Sequence, residues 1–230
     1  MRQVTDQAGC GSCWAHATSK VLADRICLTT KGKVDVELST EQLIRCCPFC
    51  GEGINGCYSA LHQRGFYYMM TTGIVTGGAY NSNEGCLPSE QATGCGAPCH
   101  WREYMRNLSA CDTHCSNSDY ERAFLRDKHY AKEFYSVSRL VNLESGSLAE
   151  KHRRLQYELL TFGPVTAAMR VYPDFLLYDK GGFFRYYRSS EDPTRDFVGA
   201  FVRLGMWAPT PNCDEDGCQA MEREDQRAPP

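Results

Sequence analysis

The sequence predicts an α+β fold in unequal parts: a helical, disulfide-rich part over residues 1–130, a strand-bearing part over 131–207, and an acidic tail over 208–230. Three observations carry this reading. The 14 cysteines stand at 10, 13, 27, 46, 47, 50, 57, 86, 95, 99, 111, 115, 213 and 218, with none between 116 and 212. Apolar residues recur at helical spacing in two long segments. Beyond Gly163-Pro164 the pattern shifts to short runs of β-branched and aromatic residues.

The elements follow in order. Trp14, Ala17, Val21, Leu22 and Ile26 mark one face of a helix over 14–29. Ser39-Thr40-Glu41-Gln42 sets a hydroxyl and an amide three residues apart, the capping-box spacing, ahead of Leu43 and Ile44. A short helix is expected over 58–71, before the Gly73 and Gly77-Gly78 breaks. Residues 82–118, rich in Gly, Pro, Ser, Asn and Cys, read as loops held by disulfides. A helix over 148–162 carries Leu148, Leu155, Leu159 and Phe162 on one face, and strands are expected at 165–172, 182–187 and 197–204. The tail, with Asp214, Glu215, Asp216, Glu222, Glu224 and Asp225, holds too little apolar surface to offset its ordering entropy and reads as disordered.

Composition narrows the function. A formal charge of −3 over 230 residues argues against a broad nucleic-acid face. No apolar run approaches the roughly 18 residues of a membrane span, and 42% hydrophobic content excludes a wholly disordered chain. The cysteine density fits an oxidising compartment, and Asn107-Leu108-Ser109 is a glycosylation sequon that agrees with one. A lysosomal or secreted location is expected. The opening Met1-Arg2-Gln3-Val4-Thr5-Asp6 has no apolar core and is not a signal peptide, so the chain is expected to begin inside a larger precursor.

The chemistry concentrates at Asp6-Gln7-Ala8-Gly9-Cys10-Gly11-Ser12-Cys13-Trp14. Cys13 opens the first helix, where unpaired N–H groups and the dipole favour a thiolate, the nucleophilic form. Gln7 offers an amide toward a developing oxyanion, together with the Cys13 backbone N–H. Two other readings of these cysteines carry less weight. Cys10-x-x-Cys13 with Cys47-x-x-Cys50 makes a zinc site at unusual spacing and leaves ten cysteines unexplained. A thioredoxin-like pair lacks the preceding strand.

Cys10-Gly11-Ser12-Cys13-Trp14, with Gln7 upstream, resembles the nucleophile segment of papain-like cysteine peptidases. Asp24-Arg25-Ile26-Cys27, Cys46-Cys47, Asn55-Gly56, Asp127-Lys128-His129-Tyr130, Gly163-Pro164-Val165 and Asp174-Phe175-Leu176-Leu177-Tyr178 resemble the cathepsin B branch. The resemblance runs over about residues 2–207. It implies a papain-like two-domain fold whose second domain is a partial β-barrel. It also implies hydrolysis of peptide bonds by Cys13, with Gln7 as oxyanion donor and Gly11, Trp14, Asn55 and Gly56 along the substrate. No cofactor and no metal are implied. The expected partners are polypeptide substrates or protein inhibitors of cysteine peptidases, with no nucleic acid or membrane, and the chain is expected to be monomeric.

The resemblance further implies the pairs Cys46–Cys111, Cys47–Cys50, Cys86–Cys115 and Cys95–Cys99. Cys10 would pair with Cys57 in a bridge shifted by three residues, and Cys27 would lack its partner. The base and its orienting group depart from the pattern. Gly199 falls where the family places its histidine, and no Asn-Ser-Trp follows Trp207. The remaining histidines substitute poorly: His152 is expected at a helix boundary, His16 toward the core, and His129 in a structural role. Cys95 and Cys99 enclose three residues without a His-His pair, so dipeptidyl-carboxypeptidase activity is not expected. The readings are therefore a cysteine endopeptidase impaired in this chain, or a non-catalytic homologue acting as a peptide-binding or decoy module.

Overall fold

Helix α1, Cys13–Thr29, is the axis on which the molecule is assembled. The computed structural model describes residues 5, 7, 10–51, 56–57, 60–80, 82–90, 110–137, 147–168, 207–214 and 216–218. Trp14, Ala15, Leu22, Ala23 and Ile26 of α1 are buried against Leu43 and Ile44 of α2 (Thr40–Cys46) and Phe66 and Met69 of α3 (His62–Thr71). This face is continuous because helical spacing stacks residues three and four apart.

Ser39 caps α2 by accepting from Gln42 N at 3.0 Å. Its hydroxyl also donates to Leu87 O at 2.7 Å, which ties the helix start to the loop beyond Gly77. The other half of the capping box is diverted. Gln42 Nε2 donates to Tyr68 OH at 3.1 Å, and its Oε1 accepts from Val75 N at 2.7 Å, so the amide joins α2 to α3 and to the following chain. Helix α3 starts at His62, four residues later than the sequence predicts, after Ala60 bridges to Gly51.

Disulfides staple the loops: Cys10–Cys57, Cys46–Cys111, Cys47–Cys50, Cys86–Cys115 and Cys213–Cys218, while Cys13 and Cys27 are free thiols. A 3₁₀ turn at Phe124–Asp127 presents the fully buried Asp127 carboxylate to Thr76 N at 2.7 Å, to Thr76 Oγ1 at 2.6 Å and to the Tyr120 hydroxyl at 2.5 Å. Ile74 and His129 then exchange backbone hydrogen bonds at 2.9 and 2.8 Å.

Strand β1, Ala131–Ser136, pairs antiparallel with β2, Trp207–Pro211, from Ala131 opposite Pro211 to Ser136 opposite Trp207. Residues 213–214 and 217–218 form a short hairpin, β3 and β4, closed by Cys213–Cys218. The disorder expected from residue 208 therefore does not hold through 218. Proline's fixed φ suits an extended strand, and its missing N–H is tolerated where no ladder donor is required. Pro209 instead supplies a carbonyl that accepts from Arg25. Residues 219–230 and the strands expected at 182–187 and 197–204 lie outside the described residues, as do 169–172; of the strand expected at 165–172, residues 165–168 show a single bridge at Thr166.

Helix α4 spans Leu148–Phe162, with Ser147 accepting from Glu150 N at 3.3 Å. Its expected apolar face is buried only in part: Leu155 packs against Val137 and Ala208, but Leu159 and Phe162 are 42% and 49% exposed, whereas Glu158, one turn from Leu155, is 6% exposed. The reason is Arg25, which occupies the inner side of α1 and requires an anion opposite it.

Candidate active site

The turn before α1 is fixed from both sides. The Cys10–Cys57 disulfide and the Gly11 N to Cys57 O hydrogen bond (2.9 Å) hold residues 10–11 to the 56–57 loop. Trp14 Nε1 donates to Gly56 O at 3.0 Å, which pins the same loop to the helix. A Cβ at Gly56 would sit 2.3 Å from Ile44 O, so only glycine lets the loop pass this close to α2. Gln7 is half-buried, and its carbonyl accepts from Cys10 N at 3.3 Å, so it enters the turn ahead of the nucleophile.

Cys13 is the first residue of α1, a free thiol on an exposed residue. Ser12, in the N-cap position, makes no side-chain cap, and no acidic residue stands in the first turn. The Cys13 and Trp14 N–H groups are left for the sulfur, while those of Ala15 and His16 donate to Ser12 O. Desolvation nevertheless dominates and pushes the Cys13 thiol above its ordinary value, while the backbone N–H groups of Trp14 and Cys13 pull it down. Lost hydration thus opposes the stabilisation that helix position offers the thiolate. A neighbouring cation or base is needed to tip the balance.

Among the described histidines, none contributes to the shift of the Cys13 thiol. His16 is half-buried, with Nδ1 sharing a hydrogen bond with Thr5 Oγ1 at 3.0 Å. His152 is exposed on α4 rather than packed at a boundary, and His114 is exposed as well. His62 and His129 are buried and held toward the neutral form by desolvation. For His129 the charge of Asp127 opposes that shift, and Arg122 adds to it. Gly199, Asn55, Asn107, Cys95, Cys99 and His100 lie outside the described residues.

Sequence reasoning missed Arg25. Its side chain, 3% exposed, donates from Nε to Pro164 O (2.9 Å), from Nη1 to Tyr135 OH (2.8 Å) and Pro209 O (3.3 Å), and from Nη2 to Glu158 Oε1 (2.9 Å). One guanidinium thus joins α1 to β1, β2 and the end of α4. The available signal was an arginine between Leu22 and Ile26 on the apolar face of α1, where an unpaired charge is not tolerated.

Among the described residues no group of three or more His, Cys, Asp or Glu side chains is placed to hold a metal, and no helix is long and apolar enough to cross a membrane.

A free cysteine at a helix start, preceded by a disulfide-locked Cys-Gly-Ser turn and packed through a tryptophan, defines a cysteine-nucleophile site on an α+β scaffold. The sequence profile of the papain family cysteine protease matches residues 1–198, and the chain belongs to that family. Within it the similarity is to the cathepsin B-like branch. The chain is 33% identical over 193 residues to cathepsin B-like cysteine proteinase 4 of Caenorhabditis elegans, covering 79% of this chain and 51% of that protein. It is 33% identical over 194 residues to a cathepsin B-like cysteine proteinase of Schistosoma japonicum, covering 82% and 52%. The chain therefore spans about half the length of the curated relatives it matches. The fold is similar to that of procathepsin B S9 from Trypanosoma congolense, with a TM-score of 0.57, 23% identity and coverage of 90% of this chain and 55% of that one. This likeness supports a papain-like α+β fold.

Proposed function

We propose that the chain acts as a cathepsin B-like cysteine peptidase on polypeptides, with turnover impaired in these 230 residues. The observation that carries this reading is the free Cys13 thiol at the head of α1, on a turn held by Cys10–Cys57. In the reaction, Cys13 Sγ attacks the scissile carbonyl carbon and expels the amine to leave a thioester. Water then hydrolyses the thioester and restores the thiol. The Cys13 N–H and the Gln7 amide are the oxyanion donors, and Gly11 and Asn55 border the substrate chain; Trp14 and Gly56, expected there too, are buried and support the loop through the Trp14 Nε1 to Gly56 O hydrogen bond instead. The proton of the thiol has no assigned acceptor, because glycine occupies position 199. Peptide substrates and protein inhibitors of cysteine peptidases are the proposed partners, met as a monomer in a lysosomal or extracellular compartment.

Gly199, a substitution within otherwise family-like sequence, favours a second reading, a peptide-binding or decoy module that retains the groove without hydrolysis. Hydrolysis of a dipeptidyl fluorogenic substrate by the unmodified chain, Cys13→Ser and Gly199→His separates the two. Slow hydrolysis is expected, below an intact relative by about 10²–10⁴ for the missing base, and Cys13→Ser is expected to abolish it. Residual hydrolysis that survives Cys13→Ser rejects Cys13 as nucleophile. Peptide binding without hydrolysis, unchanged by Cys13→Ser, selects the binding module.

A further inference from the structure

The end of α1 opposite Cys13 lies about 24 Å away, at about 1.5 Å of rise per residue. There a cavity of about 480 Å³ opens between α1, α4 and the β1–β2 ribbon, a volume in the range of small-molecule sites. Leu28 and Phe162 form apolar walls, and Glu133, Thr210 and Pro211 line it from the ribbon. Glu158 lines it from α4.

Glu158 is the informative side chain. It is more than nine-tenths buried, and both of its donors, Arg25 Nη2 at 2.9 Å and Tyr135 OH at 2.5 Å, go to the same oxygen, Oε1. Oε2 has no donor among the described residues, yet it is not among the atoms sealed from solvent. A buried carboxylate ordinarily has its oxygens satisfied. Arg25 cannot serve as an anion site in the same cavity, because its N–H groups also reach Pro164 O, Pro209 O and Gly163 O. Glu133 adds a second carboxylate, whose Oε1 accepts from Thr210 Oγ1 at 3.3 Å. Among the charged lining residues, Arg25 contributes one positive charge and Glu133 and Glu158 two negative ones, leaving an excess of one negative charge. Oε2 thus faces the cavity without a protein donor, and the excess negative charge there favours a cationic one.

We propose that this cavity binds a primary ammonium on a short apolar or aromatic body. The ammonium donates to Glu158 Oε2 within reach of Glu133, and the body rests against Leu28 and Phe162. A free amine and the lysine side chain of a polypeptide share this chemistry. The proposal is independent of whether Cys13 turns over substrate.

The test is calorimetric titration of the full chain with benzylamine, benzyl alcohol, benzoate and acetyl-Phe-Lys-amide. Binding sites are then mapped by amide chemical-shift changes. Saturable benzylamine binding is expected, with shifts at Leu28, Tyr135 and Thr210, at least about tenfold weaker binding of benzyl alcohol, and none of benzoate. Acetyl-Phe-Lys-amide binding more tightly than benzylamine assigns the site to a peptide lysine, and the reverse order assigns it to a free amine. Glu158→Gln is expected to abolish binding. Because that change also strips Arg25 of its partner, Leu28→Lys provides a second test, placing a tethered ammonium at the wall to compete with the ligand. Alkylation of Cys13 should proceed at the same rate with and without benzylamine. Absence of saturable binding, equal binding of the alcohol or the acid, or undiminished binding in folded Leu28→Lys overturns the proposal.

Discussion

Two regions meet on α1 and are held by different forces. The region from Cys10 to Leu87 buries Trp14, Leu22, Ile26, Leu43, Phe66 and Met69 at 1% exposure or less and closes its loops with disulfides. Strand β1 reaches that core through Ala131 and Phe134, but α4 has only a small apolar cluster around Val137 and Ala208. On α4, Tyr157 and Leu160 remain 65% and 87% exposed, while a charged residue turns inward. The contrast shows two ways to fasten a layer to the same helix. Apolar burial is non-directional and tolerates neighbouring solutions. The Arg25–Glu158 pair is directional: it offers little net stability over an apolar pair, yet it is costly to break from one side.

The sharpest way to break this comparison is Arg25→Met. It leaves Glu158 buried without its cation, and a loss of about 3–5 kcal/mol is expected. Hydrogen exchange should show deprotection concentrated in 131–136, 148–162 and 207–211, with the amides of α2 and α3 retained. Uniform deprotection would show that the two regions unfold as one.

The paired change Cys10→Ser with Cys57→Ser opens a 47-residue loop in the other region. A cost of about 2–4 kcal/mol is expected in urea melts, with faster alkylation of Cys13 as its turn loosens. Ser39→Ala removes the cap on Gln42 N and the hydrogen bond to Leu87 O. It should cost about 1–2 kcal/mol without changing Cys13 alkylation. At the small end, Asp216→Asn removes an exposed 3.4 Å ion pair with Lys33 and should shift stability by less than about 0.5 kcal/mol in the same melts. A larger loss would mean that the β3–β4 hairpin is a structural anchor.

Local patterns made much of the scaffold legible. The apolar spacing from Trp14 to Ile26 announces α1, and Ser39 with Gln42 three residues on announces the start of α2, because these signals act within one or two helical turns. The same reasoning read α4 only in part. Leu155 packs as its periodicity suggests, but the most buried position, Glu158, was selected by an arginine more than 130 residues away in sequence. It misread the described residues of 208–218. Prolines and acidic residues lower the local propensity for order there, yet β1 and a local disulfide supply partners that composition does not reveal.

At the candidate site the division is similar. The sequence by itself determined that Cys13 would stand at the head of a helix, after a Cys-Gly-Ser turn and before a tryptophan, since residue order and helical geometry suffice for that. Only the tertiary structure decided the protonation tendency of that thiol, because hydration depends on every segment packed around the sulfur and here outweighs the helix-start dipoles. Only the tertiary structure decided, too, that Glu158 would face inward with one oxygen satisfied and the other open to a cavity. A carboxylate's partners are chosen in three dimensions, by whichever donors and walls the fold brings within about 3 Å of each oxygen.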